Sequence, residues 1–223
     1  MRVGADGVVA MVIGRRGVLL AGAGVAVSAA LPAPAGGTLA FRMVRNDTEI
    51  GHHTVTFERH GDTLTVRVAV DALVTVLSVP VVRYKHRLTE TWQGEKLVAL
   101  NGDTDKNGQQ EWVRAQRDAE GLVVQGSHAD RYVAPDGALA TTYWDRRMLD
   151  GPMISGEDGV LLRPKVIAGK SEPVALASGA TITAAHYSLR GSFNADVWYD
   201  QTNTWASLSV AVKDGSTVRY ERL

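Results

Sequence analysis

The chain reads as an all-β protein: one domain whose roughly ten antiparallel strands form a single curled meander sheet, a barrel or half-barrel, with at most one short helix. Three observations predict this. Apolar and polar residues alternate in short runs from Thr38 to Leu223, as where Leu64, Val66, Val68 and Val70 share one face and Thr65, Arg67 and Asp71 the other. Turn chemistry punctuates the runs at His60-Gly61-Asp62, Gln93-Gly94-Glu95, Lys106-Asn107-Gly108, Ala119-Glu120-Gly121, Asp136-Gly137 and Asp214-Gly215. Only the stretch from Trp144 to Met153 offers a helix, and Pro152 ends it. Parallel pairing needs crossovers of about a dozen residues or more, so neighbours in sequence should pair through tight turns. Curling is favoured over splitting into a sandwich, because it covers one apolar face without a second sheet.

In chain order, residues 1–35 read as an export leader of the twin-arginine type. Gly14-Arg15-Arg16-Gly17 carries the paired arginines, Val18 to Leu31 is an uncharged Ala/Gly-rich run, and Ala33-Pro34-Ala35 gives the small residues of a signal-peptidase site. The run is shorter than the roughly 20 residues that span a bilayer, which favours cleavage near Ala35 over a permanent membrane anchor. Met11 offers an alternative start. The expected product is residues 36–223, periplasmic or secreted, with the twin-arginine translocase as its partner during export. With no cysteine, neither a disulfide framework nor a lipid-modified N-terminal cysteine is available. The remaining 188 residues (223 − 35) suffice for one hydrophobic core.

Charge excludes little except nucleic acid. Setting aside Arg2, Arg15, Arg16 and Asp6 leaves 21 basic residues (24 − 3) against 23 acidic ones (24 − 1), with no basic stripe.

Motifs for chemistry are sparse, and neither catalytic residues, cofactor nor metal is expected. Asp103-Thr104-Asp105-Lys106-Asn107-Gly108 opens like a calcium loop, but its twelfth position is Arg114 where a bidentate glutamate belongs. An acidic type I′ hairpin at Asn107-Gly108 is the better reading. His52 and His53 are adjacent, so a strand sends them to opposite faces and they cannot share a metal. No G-x-S-x-G elbow occurs, and Ser127-His128 is merely a dipeptide.

One strand stands out. In Tyr84–Trp92, alternation puts Tyr84, His86, Leu88, Glu90 and Trp92 on one face, and Lys85, Arg87, Thr89 and Thr91 on the other. Aromatics mixed with a histidine and a carboxylate suit the lining of a semi-polar cavity; the alternative is a Glu–His bond at a barrel end with Trp92 in the core. Tyr143-Trp144, beside Arg146 and Arg147, is placed at a pocket mouth, and Trp198 in the core. Tyr84, His86, Glu90, Trp92, Tyr143 and Trp144 are thus the candidate ligand-binding residues. Ser155-Gly156-Glu157-Asp158-Gly159 marks the break between two halves of the one domain.

These segments resemble an uncharacterised bacterial family, the domain of unknown function numbered six-one-three-four. The resemblance is carried by Ile50-Gly51-x-His53, Arg83-Tyr84-Lys85-His86, Glu90-x-Trp92-x-Gly94-x-x-Leu97, Thr104-Asp105-x-x-Gly108, Thr142-Tyr143-Trp144, Val197-Trp198-Tyr199-Asp200 and Asp214-Gly215-Ser216-Thr217-Val218-x-Tyr220. It runs from Phe41 to Tyr220, with Thr142 and Asp145 where the family pattern has serine and asparagine. It implies an exported, mostly β domain and brings no activity. The expectation is non-enzymatic carriage of a lipid or other hydrophobic small molecule. The alternatives are an envelope interaction module using a sheet edge, or an enzyme in which Glu90, His86 and Asp103 or Asp145 converge.

Overall fold

The structure is a computed structural model that describes Leu31, Ala33 and residues 37–76, 79–212 and 214–223; the paired arginines and the cleavage site near Ala35 lie outside the described residues. The chain opens with eight strands: β1 (Thr38–Arg45), β2 (Thr48–His60), β3 (Thr63–Val76), β4 (Val79–Gln93), β5 (Lys96–Lys106), β6 (Gln109–Arg117), β7 (Leu122–Gly126) and β8 (Ala129–Val133). Three two-residue strands follow, β9 (Leu139–Ala140), β10 (Met153–Ile154) and β11 (Leu161–Leu162), with a 3-10 turn over Arg146–Asp150 after β9. Five strands complete the chain: β12 (Lys165–Ala175), β13 (Thr181–Arg190), β14 (Ala195–Asp200), β15 (Trp205–Ala211) and β16 (Thr217–Arg222).

The first eight and the last five strands form two antiparallel meanders. They fuse where β16 pairs with β1, Phe41 opposite Arg222 and Met43 opposite Tyr220, into one 13-stranded sheet running from β12 to β8. The sheet is all antiparallel and not closed. It holds more strands than the ten expected, and the two-residue strands are too short to show any alternation in sequence. All six turn signals fall between consecutive strands. At Asn107-Gly108, φ values of 56° and 88° make the type I′ turn that twisted hairpins need.

The curl follows from contacts. β4 and β14 lie six steps apart in the sheet, about 29 Å if it were flat at 4.8 Å per step. Yet Trp92 of β4 meets the ring of Trp144, and Tyr199 of β14 bonds the carbonyl of Tyr143, the adjacent residue. The sheet therefore wraps around the segment between β8 and β12. That segment buries Met148, Leu149, Met153 and Ile154 against the concave face, where Leu64, Val66, Val68 and Val70 of β3 are also buried. Each such side chain contributes about 1.5–3 kcal/mol on leaving water. Gly102 and Gly126 permit the close approach: a Cβ on Gly126 would run into the carbonyl of Asp158, and one on Gly102 would lie 2.5 Å from that of Gly156.

Two local readings are corrected. The helix expected from Trp144 to Met153 shrinks to the 3-10 turn, capped by Asp145, whose Oδ1 accepts from the Arg147 amide at 3.0 Å. Trp198 lies outside the main core: Ala195, Val197 and Tyr199 take the buried face of β14, so alternation turns Trp198 to the other face, where it is half-buried against the small cluster of Val174, Ala184 and Ala206. There it stacks on His186 at 4.8 Å and donates to Glu172. Leu31, assigned to the leader by sequence, is buried in the core, and its carbonyl accepts from Arg59 at 2.8 Å.

Candidate functional site

Between the wrapped sheet and the crossing segment lies a cavity of about 540 Å³. Its walls come from both meanders: Met43 of β1, Ile50 and His53 of β2, Val68, Val70 and Ala72 of β3, Tyr84 and His86 of β4, Leu208 and Val210 of β15, and Val218 and Tyr220 of β16. Thr142, Tyr143, Ser155, Gly156 and Glu157 of the crossing segment complete it. The β1–β16 seam therefore runs through the cavity wall. Apolar walls with a few polar groups are the usual makeup of a small-molecule site.

One polar group is Glu157, carried in by the turn that sequence marked as a break between halves. Its Oε1 accepts from the Tyr84 hydroxyl and its Oε2 from Lys106, both at 2.6 Å, while Lys106 also bonds Glu111 at 2.7 Å. Burial and the neighbouring Glu157 push the Tyr84 phenol well above its ordinary pKa, so it stays a neutral donor. His86 bonds Thr104 through Nδ1 at 2.8 Å; burial lowers its pKa to about 4 and keeps the ring neutral at pH 7. Tyr143 holds a left-handed φ of 62°, a conformation costly for a bulky residue, with its carbonyl fixed by Tyr199 at 2.8 Å.

The six candidate residues divide into two groups. Tyr84, His86 and Tyr143 line the cavity. Glu90, Trp92 and Trp144 form a separate buried cluster, in which Glu90 Oε2 accepts both indole N–H groups at 2.8 Å and Oε1 accepts from Thr142 at 2.7 Å. Burial raises the Glu90 pKa to about 7 against the pull of these three donors. Trp144 also faces a smaller hollow beside Leu31, Leu39 and Arg147. The guanidinium of Arg147 sits over the Trp92 ring at 5.5 Å and is held by Asp145. At 145 the side chain thus works as a carboxylate.

The groups considered for acid–base chemistry are engaged apart from one another. Glu90 bonds the tryptophans and Thr142, His86 bonds Thr104, Asp103 pairs with Arg114 at 2.6 Å, and Asp145 pairs with Arg147. The barrel-end Glu–His bond is likewise replaced by those partners, while Trp92 is core at 1% exposure. Ser188, His186 and Asp196 meet on β13 and β14, but not as a triad. The serine hydroxyl donates to Asp196 at 2.6 Å, and the same histidine nitrogen that would take its proton faces Asp196 at 2.9 Å.

Among the cavity residues that sequence reasoning missed are His53, Glu157 and Tyr220. His53 was legible, since His53, Val55 and Phe57 alternate with exposed or half-buried neighbours on β2. Glu157 was hidden in a turn-like segment whose position over β5 and β7 depends on distant glycines.

Fold and cavity together define a barrel-like β protein, a single antiparallel sheet curled around a half-open cavity. The chain belongs to the domain of unknown function family DUF6134, whose family model matches residues 41–223. No curated protein matches the chain. Among solved structures it is similar to a β-barrel-like protein of the domain of unknown function DUF1849 from Brucella abortus. That likeness has a TM-score of 0.58 at 10% identity and covers 83% of this chain and 94% of that one. At this identity the likeness concerns the fold alone.

Proposed function

We propose that the protein binds an apolar or amphipathic small molecule in the chamber, as a non-enzymatic carrier working in the periplasm or outside the cell. The observation that carries this reading is the 540 Å³ cavity, walled chiefly by valine, leucine, isoleucine, methionine and tyrosine from both meanders. A ligand seated in it would take its apolar lining out of water. The interaction-module reading has less support. The edge strand β12 carries Lys165, Lys170 and Pro173, and the opposite edge β8 carries Asp130 and Arg131, residue types that discourage strand addition.

The test is native mass spectrometry of protein purified gently from the cells that make it, followed by extraction of whatever it carries. A co-purifying hydrophobe, lost when Val70→Phe and Ala72→Phe fill the chamber, is the expected result. A bare mass, with nothing taken up from envelope lipids, overturns the reading and turns attention to protein partners.

A further inference from the structure

The most unusual group in the chamber is His53. It is 5% exposed, and among the described residues neither ring nitrogen has a hydrogen-bond partner. Buried polar atoms without partners are rare, and each such atom costs about 1–3 kcal/mol. The ring is held edge-on by aromatic side chains: Trp205 at 4.9 Å, Tyr220 at 5.7 Å and Phe41 at 6.2 Å. The backbone register fixes it as firmly, with Phe41 opposite on β1 and Val70 opposite on β3. A rigid polar ring set in the cavity wall, its two nitrogens almost wholly covered by the apolar cage and bonded to nothing among the described residues, lacks a partner.

The charges around it limit what that partner is. Among the described residues two charged side chains line the chamber, and both are engaged: Arg45 by Asp214 and Ser216, and Glu157 by Lys106 and Tyr84. An anionic head would meet no free cation there among the described residues, and Glu157 would repel it. Burial, with His86 nearby, lowers the His53 pKa to about 3, so the ring does not supply a cation at neutral pH. A neutral imidazole offers one N–H donor and one acceptor nitrogen.

Resting on the carrier reading above, we infer that His53 is the polar anchor of the chamber and binds an uncharged oxygen, a hydroxyl or carbonyl, on an otherwise apolar lipid-like molecule. The aromatic cage takes the carbons adjoining that oxygen, and the β3 and β15 valines and leucine take the hydrocarbon body.

The experiment measures binding of 1-dodecanol, dodecane and dodecanoate to delipidated full-chain protein at pH 8 by titration calorimetry. Wild type is compared with His53→Phe and His53→Gln, and the His53 ring nitrogens are followed by long-range nitrogen NMR. Dodecanol is expected to bind best. His53→Phe is expected to weaken it about tenfold, the 1.4 kcal/mol of one hydrogen bond, with dodecane unaffected and His53→Gln intermediate. Dodecanol should also shift one ring nitrogen of the wild type, a signature independent of whether the variants fold. If no probe binds wild type, the carrier reading itself fails. If dodecanol and dodecane bind but neither His53→Phe nor the ring signals respond, the anchor is wrong while the carrier stands. Tightest binding by dodecanoate, with a protonated His53 ring, also overturns the inference by making the ligand an anion.

Discussion

Trp92 and Trp144 donate their indole N–H groups to the same atom, Oε2 of Glu90, each at 2.8 Å, and their rings cross at 81° with centroids 5.6 Å apart. This joint fastens the crossing segment to β4 and so fixes one end of the chamber floor. Removing the Glu90 carboxylate leaves three buried donors unpaired, the two indoles and the Thr142 hydroxyl. Glu90→Leu should therefore cost about 2–5 kcal/mol, and Trp144→Phe, which loses one bond and keeps most of the ring, about 1–2 kcal/mol. Urea melts check both; a Glu90→Leu protein as stable as wild type would refute the joint.

Glu90 also gives stability a pH dependence. Its folded pKa, about 7, lies above the unfolded 4.5, so the folded protein holds this proton more tightly. The contribution is full below pH 4.5, is lost as pH rises to about 7, and amounts to something on the order of 3 kcal/mol. Glu90→Gln should remove this slope. The stability of the variant minus that of wild type should grow between pH 4.5 and 7 and then level off; a constant difference would contradict it.

His53 and His86 act with the opposite sign. Their folded pKa values, about 3 and about 4, lie below the unfolded 6.5, chiefly because burial disfavours the charged ring. Their stabilisation is complete above pH 6.5 and is lost on acidification toward pH 3–4, on the order of 5 kcal/mol for His53 and about 3 kcal/mol for His86. Between pH 4.5 and 6.5 Glu90 offsets about one histidine, so the net trend is loss on the acid side. Thermal melts of His53→Phe should show a shallower acid limb than wild type.

Leu31 lets the contribution of the segment before β1 be measured. A chain starting at residue 36 loses its burial and its bond to Arg59, and should be about 2–3 kcal/mol less stable than one starting at residue 31. Equal denaturant midpoints for the two chains would show that the contact adds nothing.

Gly126→Ala tests the seating of the Glu157 turn. The added methyl meets the Asp158 carbonyl, so the turn must lift, at a cost of about 1–3 kcal/mol. Hydrogen exchange should quicken across residues 155–160, and the Tyr84 phenol, freed from Glu157, should titrate lower. Unchanged exchange there would mean that the backbone absorbs the methyl elsewhere.

Local pattern explains what the sequence revealed. Alternation on β3 and β4 placed Val68, His86 and Trp92 on the buried face, and Asn107-Gly108 marked its hairpin, because those properties depend on near neighbours. The β16–β1 pairing depends on residues far apart, and no periodicity encodes it. The division of the six candidate residues was equally hidden. Tyr84 and Glu90 share a strand face, but the crossing segment lays Glu157 over one and Trp144 over the other. Trp198 misled because aromatic size argues for burial while its parity on β14 argues for the surface.

The pairing of β1 with β16 has a consequence for how this protein comes into being. Phe41 and Arg222 face each other across 181 positions (222 − 41), so the chamber wall stays incomplete until the last strand has left the ribosome. During synthesis, the exposed flank of β1 must wait beside an open trough. Contacts so distant slow folding, because the chain closes a long loop before the pairing rewards it. A molecule able to fill the trough early would stand in for the missing strands and act as a template for its own container.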